Sequence, residues 1–238
     1  MQVAVIIPVY KAELSAVEKG ALLQCKKVLG RYSIQLLAPA SLDLSSYFEL
    51  LEREVPVKRF KNSYFKSVKG YSRLLLSRKF YKAFLEFDYI LIYQLDAWVF
   101  SDKLQEWVNK GYDYIGAPWV EIPPAGGKVP LINLSKCLIN KVGNGGLSLR
   151  RVRAHYNWAI WTRIIFFLLP KNEDFIWTLF TNMRKPDVQE ALHFAFELDP
   201  RGSLKRTKEI LPFGCHAWEK YDPAFWHPFI TIDSKYGK

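Results

Sequence analysis

Hydrophobic positions change period several times along this chain. Val3 to Tyr10 (VAVIIPVY) is a continuous apolar run, the pattern of a strand buried on both faces. From Leu14 the apolar residues recur every three or four positions (Leu14, Val17, Ala21, Leu22, Cys25, Val28, Leu29), which predicts a helix stopped at Gly30. Ile34 to Ala38 reads as a second strand, Leu42 to Arg53 as a short helix or turn, and Val57 to Phe60 as a third strand. Tyr64 to Phe87 reads as a stretch holding one long amphipathic helix with Leu74, Leu75, Phe80, Tyr81, Phe84 and Leu85 on its buried side. A fourth apolar run, Tyr89 to Phe100, carries a single acid, Asp96.

The second half is more broken. Leu104 to Lys110 reads as a short helix, and Tyr112 to Ala117 as a strand that leads to Pro118-Trp119. Glu121 to Pro130 (EIPPAGGKVP) has turn chemistry and is expected to be a mobile loop. Val142 to Arg151 (VGNGGLSLRR) is a glycine turn entering a strand. Arg153 to Leu169 is a helix, and Ala191 to Leu198 a strand or helix bearing Glu197. Strands alternating with helices predict an α/β fold with a mostly parallel central sheet flanked by helices. We expect one domain over residues 1–238, whose first half (1–100) looks like a nucleotide-binding α/β half.

Asp96 stands out because an ionised carboxylate is costly in a buried strand unless it has a partner. Ligands of open α/β sheets bind beyond the carboxyl ends of the strands, where Asp96 would meet a metal or a phosphate-bearing ligand. The competing reading is an Asp that caps the next turn or pairs with a buried Arg.

Charge narrows the partners. The net charge of +11 suits anionic ones: nucleotide phosphates, anionic lipid headgroups or nucleic acid. Cys25, Cys137 and Cys215 form no CxxC pair, which disfavours a cysteine-based zinc site and suits reduced thiols. No GxGxxG follows the first strand and no Walker A motif is present, which disfavours dinucleotide dehydrogenases and P-loop NTPases. The first strand begins beside Met1, so a cytoplasmic location is expected, at most peripheral to the inner face of a membrane. The apolar, basic stretch from Arg150 to Lys171 reads either as a buried core helix or as an interfacial helix lying on an anionic membrane surface.

Four stretches together, YQLDAWVF (93–100), YDYIGAPW (112–119), VGNGGLSLRR (142–151) and PFGCHAW (212–218), with Asn172-Glu173-Asp174 between the last two, resemble a bacterial glycosyltransferase-like family catalogued as a domain of unknown function. The similarity runs from Lys69-Gly70-Tyr71 to Trp218. More broadly, the order of parts is similar to that of GT-A fold glycosyltransferases, whose first strand often ends as Ile7-Pro8-Val9-Tyr10 does here. The chain departs from that pattern at the Asp-x-Asp metal motif, which reads Asp96-Ala97-Trp98 and lacks the second acid.

The resemblance implies an inverting glycosyltransferase that moves a sugar from a nucleotide-sugar donor to a saccharide or lipid-linked acceptor in surface polysaccharide or glycolipid synthesis, with residues 101–238 as its acceptor-binding, catalytic half and no nucleic acid partner. Charge that builds on the diphosphate leaving group needs a cation to stabilise it. It implies Mn²⁺ or Mg²⁺ held by Asp96 and His216, and a base supplied by Asp174, or else Glu173. Pro8, Tyr10, Lys69, Tyr71, Gln94 and Asp96 would meet the donor, with Arg73 near the phosphates. Trp119, Asn144, Gly145 and Gly146 would meet the acceptor, Trp119 by stacking on a sugar face. Without the resemblance, each has a plainer reading: His216 as a structural histidine, Glu173-Asp174 as acids at a helix start, the glycines as a tight hairpin. Two other functions compete. A sugar nucleotidyltransferase would need a Gly-rich basic loop after the first strand, where Lys11-Ala12-Glu13-Leu14 stands. A non-catalytic basic membrane- or nucleic-acid-binding module would account for the charge and leave Asp96 and His216 unexplained.

Overall fold

The computed structural model describes residues 1–120, 137–169 and 171–232. The expected loop of residues 121–130 lies outside them. Strand β1 (Val3–Pro8) is followed by α1 (Ala16–Leu29), β2 (Ser33–Pro39), α2 (Ser45–Leu51) and β3 (Val57–Phe60). Helices α3 (Val68–Leu75) and α4 (Arg78–Lys82) lead to β4 (Tyr89–Tyr93) and β5 (Ala97–Val99), and α5 (Leu104–Asn109) to β6 (Tyr114–Gly116). Then come β7 (Pro118–Trp119), β8 (Lys141–Val142), β9 (Leu147–Arg151), α6 (Val152–Leu168) and α7 (Glu173–Leu179). Helix α8 (Val188–Phe194), β10 (Ala195–Phe196), α9 (Pro200–Arg206), β11 (Gly214–His216) and α10 (Pro223–Trp226) complete the described chain.

The main sheet has the order β3-β2-β1-β4-β9-β6. The first four strands run parallel, and β9 is antiparallel to both its neighbours. The apolar run of β1 is explained by helices on both faces. Side chains alternate across the pleat, so Val5 and Ile7 join the core that includes Leu22 and Cys25 of α1. Ala4 and Ile6 point the other way, into the core that includes Leu74 and Leu75 of α3 and Phe80 of α4. Burial of each large aliphatic side chain stabilises the fold by about 1.5–3 kcal/mol. Truncation of Ile6, which is 0% exposed, to Ala would cost about 2–5 kcal/mol.

Two elements differ from the sequence expectation. The helix expected within Tyr64–Phe87 is divided into a 3-10 turn (Asn62–Tyr64), α3 and α4. Two serines start the new helices: Ser67 Oγ accepts from Gly70 N, and Ser77 Oγ accepts from Phe80 N. The expected buried residues are buried regardless, with Leu85 partly so. The run Tyr89–Phe100 is likewise two strands. Ala97 N donates to Gln94 O at 2.9 Å, closing a turn over Leu95-Asp96. Beyond it β5 leaves the main sheet and pairs antiparallel with β11 in a second sheet, ordered β10-β11-β5.

Candidate active site

The turn between the sheets places Asp96 at the carboxyl edge of β4, where its side chain stays 47% exposed. The register Ala97↔His216 brings the end of β11 to the same point. Ala217, next in the chain, adopts φ +51° and donates its N–H to Asp96 O at 2.9 Å. A non-glycine residue with positive φ stores backbone strain of about 1–2 kcal/mol, which the surrounding pairings of Asp96 and β11 offset.

His216 is almost buried and is held on both ring nitrogens. Nε2 lies 3.2 Å from Asp96 Oδ1 and 3.3 Å from Gln94 Oε1, and Nδ1 lies 3.1 Å from Glu197 Oε1. Burial alone would lower the imidazole pKa, but Asp96 and Glu197 together push it up to about 10. Partial burial opposes ionisation of Asp96, yet the His216 charge and hydrogen bond hold that carboxyl below its ordinary value. Glu197 follows β10 directly and is buried. We read it from the sequence only as an acid on a short element. Its signal is the same as that of Asp96, an acid at the end of an apolar strand.

The glycine turn lies against this cluster. Gln94 N donates to Gly146 O at 3.0 Å, and Asn144 Oδ1 accepts from Gly146 N at 3.0 Å. A Cβ at Gly146 would overlap the His216 ring, and one at Gly145 would lie 2.6 Å from Glu173 Oε1. These glycines are therefore there for close approach, with His216 on one side and the Glu173-Asp174 start of α7 on the other.

Beneath Gly145 lies Arg150, which is 0% exposed. Its guanidinium donates to Glu173 Oε1 at 3.2 Å, to Tyr81 Oη at 3.2 Å and to Ser148 Oγ at 3.0 Å. Ser72 Oγ donates to Glu173 Oε2 at 3.2 Å, so both oxygens of Glu173 are engaged. Arg150, Ser148 and Ser72 had no signal in the sequence beyond their residue types. Asp174, next door, accepts from Phe175 N at 2.7 Å. Burial, and then the neighbouring Glu173 charge, raise its carboxyl to about 7.

The other expected site residues divide. Tyr71 Oη is buried beside the Gln94 side chain, and burial followed by the Glu173 charge raises its pKa while Gln94 opposes the rise. Pro8 is buried at the end of β1, and Tyr10 beyond it is exposed. Lys69 and Arg73 are exposed on α3, and no described hydrogen bond or ion pair joins them to the Asp96 cluster. Trp119 corrects our expectation: it is 4% exposed and belongs to the core, so its ring offers no open face to a sugar.

A family described as "Protein of unknown function (DUF5672)" matches residues 54–216. Among solved structures, the chain is similar to the galactosyltransferase LgtC in complex with donor and acceptor sugar analogs. That match has 13% identity and a TM-score of 0.56, covering 98% of this chain and 93% of that one. A mutant of LgtC gives 0.60 at the same identity and coverage. The glycosyltransferase GlyE of Streptococcus pneumoniae TIGR4 matches at 14% identity and a TM-score of 0.57, over 100% of this chain and 60% of that one. Mouse xyloside xylosyltransferase 1 matches at 12% identity and 0.52, over 91% and 97%. No curated protein matches the chain. At these identities the likeness shows the fold, a single mixed α/β domain of the GT-A glycosyltransferase kind.

Proposed function

Since the chain belongs to the DUF5672 family, whose description carries no activity, we propose a function from the site itself: a glycosyltransferase that moves a sugar from a nucleotide-sugar donor to a saccharide or lipid-linked acceptor. The observation that carries the proposal is the Asp96–His216 pair at the carboxyl edge of β4, with Asp174 across the glycine turn. A fold shared with glycosyltransferases supports it.

A divalent cation could take this edge only by displacing the Nε2 proton that the raised pKa of His216 keeps between it and Asp96. Glu197 takes His216 Nδ1 and leaves Nε2 facing Asp96, the orientation a carboxylate gives to a ligating imidazole. Carboxylate plus imidazole suits Mn²⁺, and the carboxylate alone suits Mg²⁺. Among the described residues no group of three or more His, Cys, Asp or Glu forms a metal cage. Asp96 and His216 would hold the cation, with donor phosphate oxygens as further ligands. Such a cation, when bound, supplies positive charge against the diphosphate leaving group.

The acid–base role falls to Asp174. In an inverting transfer the acceptor oxygen attacks the anomeric carbon, the bond from that carbon to the diphosphate breaks, and the acceptor proton passes to the base. Glu173 is committed to Arg150 and Ser72, while Asp174, with a pKa near 7, is matched to proton transfer at neutral pH. The Tyr71 hydroxyl, beside Gln94, would be a hydrogen-bonding group for the donor sugar. Gly145 and Gly146, with no side chains, let the sugar approach the backbone.

The proposal is tested by incubating the protein with UDP-, GDP- and CMP-linked sugars, with and without Mn²⁺, and following nucleotide release and new glycosidic bonds by NMR. Transfer or nucleotide release from one donor class in wild type, lost in Asp96→Asn, supports it. No binding and no turnover with any class, with the fold intact, would overturn it.

A further inference from the structure

Helix α6 has two unlike faces. Val152, His155, Ala159, Thr162 and Phe166 face inward and are buried. Ile160, Trp161, Ile164, Phe167 and Leu168 form one outward stripe at helical spacing, and Phe167 is 86% exposed. Soluble monomers rarely leave so contiguous an apolar patch in water, and one rimmed by charge marks an interaction surface. The buried-core reading of this segment therefore holds for the inward face alone, and the outward face stands exposed.

The surroundings are basic. No Asp or Glu occurs from Val142 through Asn172, a stretch that carries Arg153, Arg163 and Lys171. Helix α4 packs along α6, with the Arg78 guanidinium 4.1 Å from the Tyr156 ring centre. Helix α4 itself carries Arg78, Lys79 and Lys82 and no acid.

We propose that this face docks on an anionic phospholipid bilayer, with α6 lying in the plane of the interface. Trp161, Ile164, Phe167 and Leu168 enter the boundary between headgroups and acyl chains, and the basic residues of α4 and α6 meet lipid phosphates. Charge selects this occupant over a second copy of the chain. A self-complementary interface would bring two basic rims together, whereas anionic lipid neutralises them. Among the described residues no helix is long and apolar enough to cross a membrane, so α6 lies on the surface. On the glycosyltransferase reading, this places the start of α7, with Asp174, beside the bilayer and selects a lipid-linked acceptor.

The test is flotation of the full chain with vesicles of phosphatidylcholine alone and of phosphatidylcholine with phosphatidylglycerol. Binding is expected on the anionic vesicles only, and should weaken as salt rises. The double variant Trp161→Ser/Phe167→Ser should bind about tenfold more weakly or worse, with an unchanged unfolding midpoint. If that variant is unstable, Phe167→Glu alone makes the same comparison at a side chain with few contacts to lose. Absence of binding to anionic vesicles, or equal binding by wild type and these variants, would overturn the proposal. So would a wild-type dimer in sedimentation equilibrium that the variants abolish, together with no vesicle binding. The assay uses no nucleotide sugar, so its failure leaves the catalytic reading standing, and failure of sugar transfer leaves this one standing.

Discussion

Asp96 Oδ1 lies 3.2 Å from His216 Nε2, although 120 positions separate the two residues. Antiparallel pairing of β5 with β11 makes the meeting, and Glu197 fixes the ring from behind. His216→Ala and Asp96→Asn should each remove the Mn²⁺-dependent thermal shift given by nucleoside diphosphates. Glu197→Gln should keep it at about 10- to 100-fold higher Mn²⁺ concentration. Identical Mn²⁺ titrations for wild type and His216→Ala would take His216 out of the site.

Gly146→Ala should damage the site more than the fold. The added methyl meets the His216 ring, and overpacking of this kind costs about 1–3 kcal/mol. We expect a modestly lower unfolding midpoint together with loss of nucleotide binding in calorimetry. Wild-type affinity in this variant would show that His216 does not need its present position.

Arg150 and Glu173 form a buried ion pair, and removing one partner leaves the other charge without compensation. Arg150→Met should destabilise the fold by about 3–5 kcal/mol in urea denaturation. Adding Glu173→Gln to it should recover part of that loss. A double variant as unstable as the sum of the two single changes would show that the pair does not act as a unit.

Asp174 gives a pH signature. Its carboxyl is raised from 3.8 to about 7 in the folded protein, by burial first and by Glu173 second. Between these values the folded state holds a proton that the unfolded state has released, so this group's contribution to stability falls as pH rises from about 4 to 7 and then levels off. Asp174→Asn should flatten that part of the stability profile. Turnover runs the other way, since the base must be ionised: kcat should rise through pH 7 in wild type, and fall about 10²- to 10⁴-fold in Asp174→Asn. An unaltered rate would assign the proton to another group.

Much of this was readable from the chain. The two-sided burial of β1 follows from VAVIIPVY, and the acid after an apolar run marks the carboxyl edge of β4. The family-like segments pointed to His216, and the structure sets that residue beside Asp96. The rest depended on contacts that no local pattern carries. A buried arginine such as Arg150 looks like any surface arginine until Glu173, Tyr81 and Ser148 are placed around it. Glu197 gains its role only through a strand of two residues, β10, too short to have a period. Trp119 shows the reverse case: an aromatic after a turn reads as a ring for stacking on a sugar, and its burial in the core decides otherwise. Between Tyr64 and Phe87 the helical period continued through Ser67 and Ser77, whose side-chain caps restart the helix.

The turn from Gln94 to Ala97 is the point where the chain passes from the six-stranded sheet to the three-stranded one. Asp96 therefore stands at a seam, with β4 on one side and β11 on the other. Whatever occupies Asp96 and His216 together acts as a rivet across that seam. Its arrival should be felt as slowed amide exchange in both sheets at once, along Ile92–Tyr93 and Cys215–His216, and not as a local change confined to one strand.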